Sequence, residues 1–187
     1  MKTRKIVFMA LFTALIAVGA FLKVPTPICP LTFQLMFCTL AGVLLGGEMG
    51  AVCVCCYIFL GLIGLPIFTA GGGISYVFQP TFGYLIGFVF GAYAAGKIAN
   101  AVPEPSFKRL LTANFTSLAI AYLFGVIYYW AICRLYLQNG LSFGKIILYC
   151  LLMPVVGDIF ECIFAAAVCK RLFPALKGII NGVRASN

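Results

Sequence analysis

Asp158 and Glu161 stand three residues apart in "MPVVGDIFECIF" (153–164), between the apolar runs Ile146-Ile147-Leu148 and Ala165-Ala166-Ala167-Val168. They are two of only four acidic residues in the chain. On a helix this spacing puts both on one face, shared with Pro154, Gly157 and Ala165. Small residues there leave room for a neighbouring helix or a ligand. A carboxylate so placed can accept from a ligand N–H, clasp a hydroxyl or amide of another helix, or relay a proton. Two carboxylates this close do not both ionise readily. An ionised and a protonated carboxyl together present an acceptor and a donor, which suits a neutral group carrying N–H and C=O.

The elements that must hold this pair are apolar. The chain has 187 residues, of which 64% are hydrophobic and 9% charged, and its mean hydropathy is +1.12. A soluble domain carries roughly 25% charged residues, so this composition cannot coat a water-soluble globule. Lipid is the matching solvent. A spanning helix needs ~20 apolar residues, and 187 residues accommodate about six spans in one membrane-embedded domain, 1–187. Asp158 precedes the basic end at Arg171 by 13 residues, about 20 Å along a helix. A charge at such depth costs roughly 2.5–3.5 kcal/mol on insertion scales, and the carboxylate is too far in to snorkel.

Hydrophobic runs interrupted by Pro, Gly or charge predict spans over 6–23, 32–47, 51–68, 81–100, 110–134 and 146–171. Pro25, Pro27, Pro30, Pro66 and Pro80 punctuate the first half; "VPEPSFKR" and "LQNGLSFGK" separate the last three spans. The run after Met1-Lys2-Thr3-Arg4-Lys5 reads as a first span that stays. With a cytoplasmic N-terminus, ten of the 13 Lys and Arg fall on the cytoplasmic side. Lys23, Arg134 and Lys145 fall outside. That asymmetry follows the positive-inside rule, and an even number of spans returns the C-terminus to the cytoplasm. The net charge of +9 is therefore read as orientation in a bilayer, and no nucleic-acid partner is expected. Tyr128-Tyr129-Trp130 falls near an outer membrane boundary, where aromatic belts form.

Two outer connections are uncharged: 25–31, "PTPICPL", and 69–80, "TAGGGISYVFQP". Three glycines beside Tyr76, Phe78 and Gln79 predict a segment that folds back as a lid over an outward-facing pocket, its backbone able to approach a ligand closely. The nine cysteines sit mostly inside apolar runs. The C-x-x-C of Cys53 and Cys56 has no second pair, and the chain has no histidine, so buried thiols serving as small hydrophobes are expected, with no metal and no cofactor.

Four segments carry a resemblance to a known family. "PLTFQLMFCTLAGVLLG" (30–46), "LGLIGLPIFTAGGG" (60–73), "PTFGYLIGF" (80–88) and "GDIF" (157–160) resemble, in order, those of BioY proteins, the biotin-binding S-components of energy-coupling factor (ECF) transporters. The resemblance implies an all-α membrane fold of six transmembrane helices that captures biotin on the outer side. It further implies partners: a transmembrane coupling protein and two ATP-binding subunits in trans. The chain has no G-x-x-x-x-G-K-[ST] phosphate loop, which fits ATP hydrolysis in a partner. Ala10 and Ala14 form a small-xxx-small pair on the first span, where the family docks on its coupling protein; Ala17 and Ala20 extend the stripe.

By the same resemblance, Asp158 matches the family's aspartate and accepts from a ureido N–H of biotin. Tyr84 and Gln34 add hydrogen bonds, and Phe33, Tyr57, Phe68, Tyr76 and Phe82 wall the rings. The family pattern continues G-D-x-x-K, whereas Glu161 stands at the lysine's place. Another cation must then hold the ligand's carboxylate, with Lys23, Arg134 and Lys145 nearest the outer end. Alternatively the ligand differs in its tail, or Glu161 faces away. Gln79 precedes Pro80 where glycine is expected and is a further candidate contact. Two readings from other classes compete. An intramembrane hydrolase needs its acids on different helices, and here both share one, so no enzyme is expected. A proton-coupled carrier needs polar residues along several spans, and Asn114, Thr116 and Ser117 form only a sparse set.

Overall fold

The structure, a computed structural model, describes residues 2–24, 30–137 and 142–184. Pro25, Pro27 and Cys29 lie outside the described residues, as does 138–141 of the last connection. The elements in order are helix α1 (Lys2–Phe21), strands β1 (Lys23–Val24) and β2 (Leu31–Thr32), α2 (Gln34–Leu45) and α3 (Gly47–Leu62). A 3-10 turn (Ile74–Phe78), α4 (Phe82–Ala99), α5 (Phe107–Leu135) and α6 (Phe143–Ile147) follow, then a π segment (Leu148–Leu152) running into α7 (Met153–Arg184). The described residues thus make six helical passes, the last an unbroken run from α6 through α7.

Four stretches are long and apolar enough to cross a membrane: Thr3–Phe21, Phe82–Ala99, Phe107–Leu135 and Phe143–Pro174. The second and third passes differ from the expected spans. α2 has 12 residues and α3 has 16, about 18 and 24 Å of helix, both short of a ~30 Å hydrocarbon layer. The break between them is one residue, Gly46 at φ 101°, a left-handed conformation that glycine adopts without a Cβ clash. α2 tolerates its shortness because all its residues but Phe37 are buried in protein. Backbone that leaves the helix at membrane depth is permitted where protein covers it or where it lines a cavity. Of the irregular stretches between helices, Pro30, Leu31, Thr32, Phe68, Thr69, Tyr76 and Thr81 line a cavity.

Small residues set the helix spacing. α4 and α5 share the most extensive helix–helix interface. Gly83, Gly87 and Gly91, four residues apart, turn one face of α4 to α5. A Cβ added at Gly87 would lie 2.7 Å from the Ala121 Cα, and one at Gly91 would lie 2.5 Å from the Ser117 Oγ. Such stripes let backbones approach, and dispersion then does in lipid what the hydrophobic effect does in water. α2 packs on α4 the same way, with a Cβ at Gly42 falling 2.1 Å from the Ala92 carbonyl oxygen.

The ends are tied by a few polar contacts. Ser106 caps α5, its Oγ accepting from the Arg109 N–H at 3.3 Å. Glu48, in the first turn of α3 where the helix dipole favours an acid, pairs with Lys97 at 2.9 Å. The guanidinium of Arg134 lies 5.9 Å over the Trp130 ring, and Trp130 meets Phe143 edge to face. Cys53 is buried while Cys56 is exposed.

Candidate functional site

One cavity, about 640 Å³ including its open mouth, lies among α2, α3, α4, α5 and α7, bordered also by Pro30, Leu31 and Thr32 and by Phe68, Thr69 and Tyr76. Its size is that of sites for small organic ligands, roughly 300–1,000 Å³. Leu35, Phe68, Leu85, Phe88, Leu118 and Pro154 give it an apolar and aromatic wall, and polar groups come from Thr32, Gln34, Tyr57, Thr69, Tyr76, Thr81, Tyr84, Tyr122 and Asp158.

Asp158 is positioned by two devices. The first is its own helix. Pro154 has no N–H to donate four residues back to Cys150, and around it the helix widens: the Met153 N–H bonds to the Leu148 carbonyl, five residues back. The Tyr84 hydroxyl donates to the Cys150 carbonyl at 2.6 Å, tying α4 to this π segment. Single π turns of this kind re-aim the residues beyond them and recur at functional sites. The second is Tyr122 of α5, whose hydroxyl donates to Asp158 Oδ2. Tyr84 and Tyr122 meet edge to face, 5.9 Å between centroids. Asp158 borders the cavity, where its other carboxylate oxygen can accept from a ligand N–H.

A second chain of hydrogen bonds rigidifies the opposite wall. Thr32 Oγ1 donates to Gln34 Oε1 at 3.4 Å, Gln34 Nε2 to the Tyr57 hydroxyl at 2.8 Å, and that hydroxyl to the Ile67 carbonyl at 3.0 Å. Tyr57 is wholly buried. The Gly73 N–H reaches back to the Gly61 carbonyl at 2.7 Å, with Gly73 at φ 103°. This reversal drops Phe68 and Tyr76 onto the cavity, 4.4 Å apart between centroids. Residues 69–80 therefore fold back over the site.

Of the residues expected there, Asp158, Tyr84, Gln34, Tyr57, Phe68 and Tyr76 line the cavity. Five expected contacts stand elsewhere. Phe82 is buried behind the wall between Tyr76 and Tyr128. Phe33 occupies the N-cap position of α2, partly exposed, its N–H bonded to the Leu22 carbonyl. Gln79 is exposed; its backbone links the 3-10 turn to α4, and its side chain does not reach the cavity. Glu161 does not line the cavity, lies by the Met36 backbone and is 6% exposed, and among the described residues neither carboxylate oxygen has a partner in hydrogen-bond geometry. One helical turn from Asp158, the π-set register sends it between α7 and α2. Lys23 stands at the rim, its ammonium donating to the Thr69 carbonyl at 2.9 Å. Sequence reasoning passed over Tyr122, Thr32, Thr69 and Thr81. Tyr122 carries no local signal, because its role depends on facing a residue 36 positions away.

The arrangement defines a multi-pass membrane protein built around a pocket for a small, largely apolar ligand with polar ends. The chain belongs to the BioY family, whose sequence profile matches residues 1–178. It is 41% identical over 176 residues to a probable biotin transporter BioY of Lysinibacillus sphaericus, covering 94% of this chain and 90% of that one. It is 33% identical over 174 residues to the biotin transporter BioY of Thermotoga maritima, covering 90% and 95%. Its fold matches a crystal structure of the S-component for biotin from an ECF-type ABC transporter, with TM-score 0.77, 25% identity and 91% of each chain covered.

Proposed function

We propose that this chain captures biotin at the membrane as the substrate-binding subunit of an ECF-type transporter, and is not an enzyme. Membership of the family and its biotin-transporting relatives support the class. The observation that carries the reading is Asp158, held by Tyr122 at the inner part of an aromatic cavity. One carboxylate oxygen takes the tyrosine hydroxyl, leaving the other for a ureido N–H. Apolar walls from Phe68, Phe88 and Leu118 suit a thiolane ring and an aliphatic tail. Biotin's sixteen heavy atoms allow nanomolar affinity, about −12 kcal/mol, within the usual per-atom ceiling for small ligands.

Transport then requires partners: a coupling protein in the bilayer and two ATP-binding subunits. Ala10 and Ala14 are exposed on α1, on the face that also carries Val7 and Val18, and are assigned to docking. A second reading, a biotin relative with an uncharged tail, is favoured by one feature: no described residue of the cavity wall is Lys or Arg.

Calorimetric titration of biotin into the detergent-purified protein, beside Asp158→Asn, tests the function. Tight binding that the variant loses by about 30- to 150-fold, the value of a charge-assisted hydrogen bond of roughly 2–3 kcal/mol, is expected. A folded protein that ignores biotin would overturn it.

A further inference from the structure

The outer rim of the cavity holds a group of donors with no acid to neutralise them. β1 and β2 pair antiparallel with Lys23 directly opposite Thr32. Directly opposed residues send their side chains to the same face of a ribbon, and Thr32 lines the cavity. The Lys23 ammonium crosses to the other connection, donating to the Thr69 carbonyl at 2.9 Å. Thr69 also lines the cavity, and its hydroxyl shares a 2.8 Å hydrogen bond with that of Tyr76. An ammonium has three N–H donors, one of which Thr69 takes. The Thr69–Tyr76 pair has two O–H groups and uses one between them. Two N–H bonds and one O–H therefore remain at the mouth, beside a positive charge. Among the described residues the ion pair present is Glu48–Lys97; Lys23 has no carboxylate partner.

We propose that Lys23, with the Thr69–Tyr76 hydroxyl pair, forms a carboxylate-binding site at the mouth of the cavity. This deepens the proposed function and rests on it. The ligand lies with its N–H donors at Asp158 and its carboxylate at the rim. The anion is held by charge-assisted hydrogen bonds, which are shorter and stronger than neutral ones. A ligand lacking the charge forfeits these bonds. The site therefore selects free acids over amides and esters of the same skeleton.

The experiment compares biotin with biotin amide on the wild type and on Lys23→Met, which keeps the length and removes the charge. In the wild type the amide is expected to bind at least tenfold more weakly than biotin. In Lys23→Met biotin should fall to the affinity of the amide, while the amide itself binds unchanged and so reports that the variant is folded. Lys23→Arg should restore most of the preference. Equal affinity for acid and amide in the wild type, or an undiminished preference in Lys23→Met, overturns the mouth site alone and leaves biotin capture standing. If Lys23→Met binds neither ligand, Lys23→Arg decides: restored preference supports the site, and loss of both ligands there too assigns Lys23 to folding and overturns it. A folded wild type that binds neither ligand overturns the reading of the ligand, and the mouth site with it.

Discussion

Asp158 and Glu161 are one helical turn apart, and their surroundings divide their roles. Asp158 has a hydroxyl donor and borders the cavity; Glu161 is buried outside it, with no donor in hydrogen-bond geometry among the described residues. Removing the Tyr122 hydroxyl in Tyr122→Phe should weaken biotin binding about tenfold, since a hydrogen bond to a charged group is worth roughly 1.5 kcal/mol or more. The same titration checks it, and an unchanged Kd would remove Tyr122 from the site. Glu161→Gln should leave biotin binding unaltered. A buried carboxylate without partners is costly, so this variant should unfold at the same or a higher temperature. A fall in Tm of several degrees would show that Glu161 has a partner that matters. Residue types and spacing singled out Asp158, which the structure places at the cavity. They left Glu161 open, because the side of α7 it takes depends on the widened turn at Leu148–Leu152.

At the scale of elements, two features decide whether the cavity exists: glycine-mediated contact between α4 and α5, and the π segment before α7. Gly87→Leu should be poorly tolerated. Its Cβ alone would meet the Ala121 backbone at 2.7 Å, and overpacking of this kind costs about 1–3 kcal/mol or more. Thermal unfolding in detergent should show a clear drop, with biotin binding reduced because Tyr84 and Tyr122 sit on the two helices being forced apart. A Tm and affinity equal to wild type would mean that the helices separate without cost. Hydropathy located the helices of the first and last passes well, since length and apolarity are local properties. The expected spans 32–47 and 51–68 overran the real helices, because apolar residues such as Ile67 and Phe68 serve equally in a helix and in a cavity-lining turn. The fold-back of residues 69–80 was legible in its glycines and aromatics. The Lys23–Thr32 ribbon was not, since two-residue strands leave no periodicity.

At the scale of the whole molecule, the surfaces proposed for capture and for docking lie apart. The cavity is lined from α2, α3, α4, α5 and α7, whereas Ala10 and Ala14 are exposed on α1. Replacing both alanines by Leu should leave biotin affinity within twofold of wild type and abolish co-purification with the coupling protein and ATP-binding subunits, since bulk on a small-xxx-small face blocks close helix approach. Intact assembly of the double variant would place the docking face elsewhere. The sequence by itself determined the solvent, the six passes and the positions of the cations along the chain, because composition, run length and charge position do not depend on how helices pack. Only the tertiary structure decided what meets Asp158 and Lys23. Tyr122 reaches Asp158 across 36 residues, Lys23 reaches Thr69 across 46, and Tyr84 reaches Cys150 across 66. Contacts at such separations are set by helix register and by which small residues let two backbones touch, and a linear pattern does not carry that information.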